Sequence, residues 1–64
     1  MTPADFDRRV LLNLKAGLTS ARAIGEAEGV NAIAVKNSLM RLESRNLAVH
    51  LGTTWKALTE RGEA

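Results

Sequence analysis

Two glycines set four residues apart, Gly25 and Gly29, most constrain what this chain can fold into. The stretch before them, opening at Thr19-Ser20, reads as a short helix ending near Glu28, and Asn31 reads as the cap of the next one. A residue without a side chain at position 25 lets a following helix cross closely. Four residues later, glycine accepts the positive φ that a sharp reversal requires. The expected unit is a pair of helices joined by a tight turn, with Val30 and Val35 supplying apolar contacts between them. A generic three-helix bundle is the alternative that the same spacing allows.

The flanking segments complete the pattern. Thr2-Pro3-x-Asp5 combines a capping threonine, a proline suited to the first helical position and an acid in the first turn. A helix is expected over about 3–16, with Phe6, Val10, Leu11 and Leu14 on one stripe. Gly17 is placed to cap it, and Leu18 to close back onto it. Leu12 falls off the stripe, either as an ordinary exposed leucine or as a self-association contact. The second helix is expected over about 20–28, capped by Thr19 or Ser20, and the third over about 32–45. Val35, Leu39 and Leu42 define the buried stripe of the third helix. Ile33, Asn37, Met40, Arg41 and Ser44 then point away from the core, with Lys36 on the flank.

After Asn46 the period changes. Leu47, Val49 and Leu51 alternate with Ala48 and His50, the pattern of a half-buried strand over about 47–51. Gly52-Thr53 can turn the chain into a second strand over about 54–58. If Leu58 faces inward, alternation turns Lys56 inward and Trp55 outward, unless a bulge intervenes or Trp55 covers the edge of the core. His50 is expected on the side away from the apolar residues, exposed to solvent or touching a phosphate. Thr59-Glu60-Arg61-Gly62 reads as a capped turn closing a single domain over 1–64.

Composition narrows the function. The chain has no cysteine and one histidine, which removes thiolate chemistry, disulfides and multi-histidine metal sites. It has no phosphate-binding glycine loop and no nucleophile–base set, so no enzyme activity, cofactor or small-molecule ligand is expected. No apolar run is long enough to span a bilayer, and the N-terminus lacks a signal-peptide pattern, so an intracellular, cytoplasmic protein is expected. The net charge is only +2, but it is unevenly placed. Basic residues dominate from Arg8 to Arg22 and from Lys36 to Lys56, which allows a basic face for a polyanion.

Three stretches carry a resemblance. Thr19-Ser20-Ala21-Arg22-Ala23-Ile24-Gly25 opens the second helix, and Val35-Lys36-Asn37-Ser38-Leu39-Met40-Arg41-Leu42-Glu43 fills the third. Ala57-Leu58-Thr59-Glu60-Arg61-Gly62 closes the chain. With Leu47-Ala48-Val49 as a first strand, this set resembles the winged helix-turn-helix family of DNA-binding transcription regulators. The resemblance implies a mainly α fold with a small β-hairpin, the wing. It also implies that the third helix enters the major groove of double-stranded DNA. Asn37 would then bond adenine, Arg41 or Lys36 would reach guanine or phosphate, and Ile33 and Met40 would pack on thymine methyls. Arg22 would meet a phosphate at the start of the second helix, and Thr53 and Thr54 would do so from the wing. Arg8, Arg9, Lys15, Arg45 and Lys56 would be mostly solvated, with one or two touching the backbone.

The sequence departs from that family at two places. Glu28 stands where many relatives are apolar, which predicts a looser or more exposed end of the second helix. The wing tip lacks arginine and lysine. The expected function is a small repressor of the kind phages and mobile elements carry, bound as a homodimer or with a protein partner. The alternatives are a winged-helix protein-interaction module, for which Ile33, Met40 and Leu12 are suited, and an architectural DNA-binding factor in recombination or replication.

Overall fold

A computed structural model describes residues 2–58, whose elements are α1 (Pro3–Lys15), α2 (Ala21–Glu28), α3 (Ala32–Ser44), β1 (Ala48–Leu51) and β2 (Thr54–Ala57). Three helices followed by a two-stranded antiparallel hairpin are the fold class that the sequence predicts. This order is compatible with a three-helix core carrying a small wing. The turn expected at Thr59-Glu60-Arg61-Gly62 lies outside the described residues.

Each helix begins and ends where a specific residue satisfies its free backbone groups. The hydroxyl of Thr2 accepts from the Asp5 N–H, that of Ser20 from the Ala23 N–H, and the side-chain Oδ1 of Asn31 from the Ile33 N–H. Ser20, not Thr19, is therefore the cap of α2. At the end of α1 the Gly17 N–H donates to Leu14 O and the Leu18 N–H to Asn13 O, the paired bonds of a Schellman close. The end of α3 repeats them. Asn46, at φ 62°, donates to Glu43 O, and Leu47 donates to Leu42 O.

The α2–α3 junction is built as the two glycines require. Gly29 lies at φ 71°. A Cβ added to Gly25 would sit 2.8 Å from the carbonyl oxygen of Val30, closer than side-chain carbons approach backbone. α3 can cross α2 at this distance only because position 25 carries no side chain. Val35 is fully buried in the junction, whereas Val30 is exposed, so the expected apolar contact rests on Val35.

The core gathers Val10, Leu14, Ile24, Val35, Leu39, Leu42, Ala48 and Trp55. Phe6, Leu11 and Leu18 pack against it from its rim. Full burial of a large aliphatic side chain contributes roughly 1.5–3 kcal/mol, so this single small cluster carries most of the fold.

The hairpin corrects the expected strand parity. Leu51 is 52% exposed and Leu58 is exposed, while Trp55 is only 5% exposed, and Ala48 is buried. The cause lies at the end of α3. Leu47 belongs to the helix close, so the strand begins at Ala48 and its inward positions are shifted by one residue. Ala48 pairs with Ala57, and His50 with Trp55. The two small alanines let the hairpin approach the helices, and Trp55 fills the remaining space without a bulge. The backbone N–H of Trp55 donates to Thr19 O at 2.7 Å, which ties the wing to the chain entering α2. Lys56 is exposed.

His50 is exposed, as expected, but not on the opposite face. Its ring stacks on Trp55 with centroids 4.4 Å apart and planes 6° from parallel. Among the described residues, no helix is long and apolar enough to cross a membrane.

Candidate functional site

The outer face of α3 is the surface that combines exposed apolar, amide and basic side chains. At about 100° per residue, Ile33, Asn37, Met40 and Ser44 fall along one line, with Lys36 beside it. Ile33 is 68% and Met40 53% exposed, although both stand on a helix whose other face is fully buried. Lys36 and Asn37 are exposed. Among the described residues, no side-chain hydrogen bond or ion pair occupies either of them.

Arg22 stands in the first turn of α2, two residues after the Ser20 cap. It forms a long i,i+4 pair with Glu26 at 3.5 Å, and both side chains are largely in solvent. Such a pair is worth a few tenths of a kcal/mol at most, roughly 0.3–0.5, and yields readily to a competing anion. At the wing, Thr53 is exposed at the turn. Thr54 donates its hydroxyl to Leu51 O at 3.0 Å, which holds the turn.

Arg41 is placed differently from the other expected contacts. It turns to the edge of α3 that faces α1 and meets Asp7. Its Nε–H donates to Asp7 Oδ2 at 2.9 Å and its Nη2 to Asp7 Oδ1 at 2.7 Å, a bidentate pair. Ser38 Oγ donates to the same Oδ1. The Asp7 side chain is almost fully buried, whereas that of Arg41 remains 47% exposed. The guanidinium hydrogen bond of Arg41 holds the Asp7 carboxyl below its ordinary pKa, against the upward push of burial, and the Ser38 hydroxyl adds to the lowering. The same bond raises Arg41 above its own ordinary value.

Asp7 and Ser38 do not figure among the residues that sequence reasoning singles out, yet a signal was present. Asp7, Val10 and Leu14 stand at i, i+3 and i+7, and so do Val35, Ser38 and Leu42. One polar residue therefore lies on the buried stripe of each helix, and two such residues on facing stripes can satisfy each other.

Glu28 corrects another expectation. It is not a loose end of α2, because its side chain is 13% exposed and bonded to α1 through both oxygens. Arg9 Nη2 lies 2.6 Å from Oε1, and Asn13 Nδ2 donates to Oε2 at 2.8 Å. Arg9 is thus an ion-pair partner rather than a freely solvated charge. Among the described residues, no group of three His, Asp or Glu side chains gathers to hold a metal ion. No protein-family model, curated protein or solved structure matches the chain.

Proposed function

We propose that this protein is a sequence-specific double-stranded DNA-binding transcription regulator, most simply a small repressor, that reads the major groove with α3. The observation that carries the reading is the outer face of α3. It presents Ile33, Lys36, Asn37 and Met40 to solvent on a helix fixed from behind by Val35, Leu39 and Leu42. A helix of this diameter fits the major groove, and these side chains suit its chemistry. Asn37 matches the donor–acceptor pair of adenine, Lys36 a guanine or phosphate acceptor, and the two apolar tips thymine methyls. Arg22 supports the docking as a phosphate contact at the start of α2, and Thr53 as one from the wing. The protein acts by binding, without a catalytic step, on DNA in the cytoplasm. One such module has a footprint of roughly 600–1,000 Å², so useful affinity calls for a dimer or a bound partner.

The test is enrichment of a random-sequence duplex pool at ~150 mM salt, a condition under which non-specific contacts are weakened. Convergence on a motif is expected, and Arg22→Glu or Lys36→Glu should abolish it. Failure to converge, with weak binding that vanishes at moderate salt, would refute the reading. A second reading has its own observation, the high exposure of Ile33 and Met40, two turns apart on one face of α3. A protein partner docking there would be lost on Ile33→Asp or Met40→Asp, with a shallow salt dependence and little effect of Arg22→Glu.

A further inference from the structure

Three arginines surround Asp7, the one buried carboxylate among the described residues. Arg41 grips Asp7 directly. Arg8 and Arg45 line the groove between α1 and the end of α3 into which Asp7 opens, together with Leu11, Leu42 and Leu47. Arg45 follows Arg41 by one helical turn, and its charge also acts on Asp7. Both Asp7 oxygens are occupied by Arg41 and Ser38. One negative charge is therefore matched inside the fold, and the remaining positive charge is displayed at the α1–α3 edge.

The pairing also decides which part of Arg41 is available. A guanidinium has five N–H donors in a rigid plane. Asp7 takes the Nε edge, with one donor from Nε and one from Nη2. The edge formed by Nη1 and the second Nη2 hydrogen is left, and it can hold two oxygens of one phosphate in a bidentate fork. Because the first edge is bonded to an almost fully buried carboxylate, the second is held at a fixed orientation before any ligand arrives. A free arginine would lose side-chain entropy on binding, and this one has lost most of it on folding.

We propose that the α1–α3 edge is a phosphate-binding site flanking the α3 face, in which Asp7 is a positioning residue for Arg41 and Arg45 and Arg8 add charge beside it. The site rests on the DNA-binding reading and extends it from α3 onto α1. It gives a role to a carboxylate whose sign, taken alone, opposes binding to a polyanion.

That opposition of sign makes the test sharp. Binding of a labelled random-sequence duplex is measured by anisotropy across a salt series, for wild type and for Asp7→Asn, Arg41→Ala, Arg41→Lys and the Asp7→Asn/Arg41→Ala double variant. The folded fraction of each is monitored by circular dichroism. Removing a negative charge should tighten binding if electrostatics alone acts. Positioning predicts the reverse, a loss of about tenfold for Asp7→Asn, the worth of one charge-assisted contact. Arg41→Ala should lower the salt slope by about one. Arg41→Lys keeps the charge but not the fork, and should still weaken binding. In the Arg41→Ala background, Asp7→Asn should no longer weaken binding.

Wild-type binding with Asp7→Asn equal or tighter overturns the positioning role and leaves the DNA reading intact. An equal loss from Asp7→Asn in both backgrounds overturns it as well, because the effect would then not pass through Arg41. Should Asp7→Asn not fold, Arg41→Lys binding as wild type overturns the proposal by itself. No duplex binding by wild type, even at low salt, removes the DNA reading and this site together.

Discussion

Replacing Gly25 by alanine isolates the close crossing of α2 and α3. In an open helix the change is favourable, because alanine exceeds glycine in helix propensity by about 0.5–1 kcal/mol. Here the new Cβ would lie 2.8 Å from Val30 O and 3.5 Å from Ala32 N. Both are backbone atoms, one in the turn and one at the first residue of α3, so no side chain can swing aside, and the turn or the α3 N-terminus must shift. Forcing a methyl group into a packed interior costs typically 1–3 kcal/mol. The net change is a destabilisation of about 0.5–2 kcal/mol, and in a domain of this size each kcal/mol lowers Tm by roughly 4–8 °C. Gly29 is the control. A Cβ there meets nothing within 4 Å, but φ is +71°, so Gly29→Ala suffers only the left-handed penalty of about 1–2 kcal/mol. Gly29→Asn should recover part of it, since asparagine tolerates this region and Asn46 already adopts it at φ 62°. Gly25→Asn should recover nothing. Thermal unfolding followed at 222 nm by circular dichroism separates these cases. A Gly25→Ala variant as stable as wild type, or more stable, would refute the close-crossing account of the junction.

The Asp7 carboxyl, held below its ordinary value of 3.8, makes a contribution to stability that is complete above that value and is lost as pH falls through the folded-state value. The Tm difference between wild type and Asp7→Asn should therefore be constant near neutrality and shrink below about pH 4, and a difference that persists unchanged at low pH would contradict it. Trp55→Ala removes the largest inward side chain of the hairpin and should cost about 3–5 kcal/mol, enough to leave the domain largely unfolded at 25 °C by circular dichroism. His50→Ala, which strips only the exposed half of the stack, should cost less than about 1 kcal/mol in the same assay.

The features legible in the sequence are those whose cause lies within two turns of chain. The Thr2 and Asn31 caps, the Gly17-Leu18 close and the Gly25–Gly29 junction each depend on neighbours no more than seven residues away, so their signatures sit side by side. The buried stripe of α3 was legible for the same reason, because its complement is the exposed face on which the candidate site stands. What escaped depended on distant partners. Asp7 is buried only because Ser38 and Arg41 stand across from it, 31 and 34 residues later in the chain. Glu28 is anchored only because α1 brings Arg9 and Asn13 to it. The strand parity failed through a local ambiguity. Leu47, Val49 and Leu51 alternate convincingly, but Leu47 is spent on closing α3, and the inward row belongs to Ala48 and Trp55. Two alanines facing each other carry little hydropathy, although their small size is what lets the wing pack.

The buried carboxylate also bears on the proposed binding surface. In a large domain a recognition helix is held by many contacts, and its outer residues can vary without touching stability. Here α3 is joined to α1 by one apolar seam and one polar cluster, and Arg41 belongs to both the cluster and the exposed edge. Any loss of Arg41 strands the Asp7 charge in the interior, at a cost to folding of several kcal/mol in fully buried pairs and somewhat less beside a half-exposed partner. A binding defect in Arg41→Ala therefore mixes two causes, lost contact and lost fold. Ile33, Lys36, Asn37 and Met40 carry no such burden, because nothing in the described fold leans on their tips. On the proposed DNA-binding reading, specificity can diverge at these four positions at little cost in stability, whereas Arg41, Ser38 and Asp7 can change only as a set.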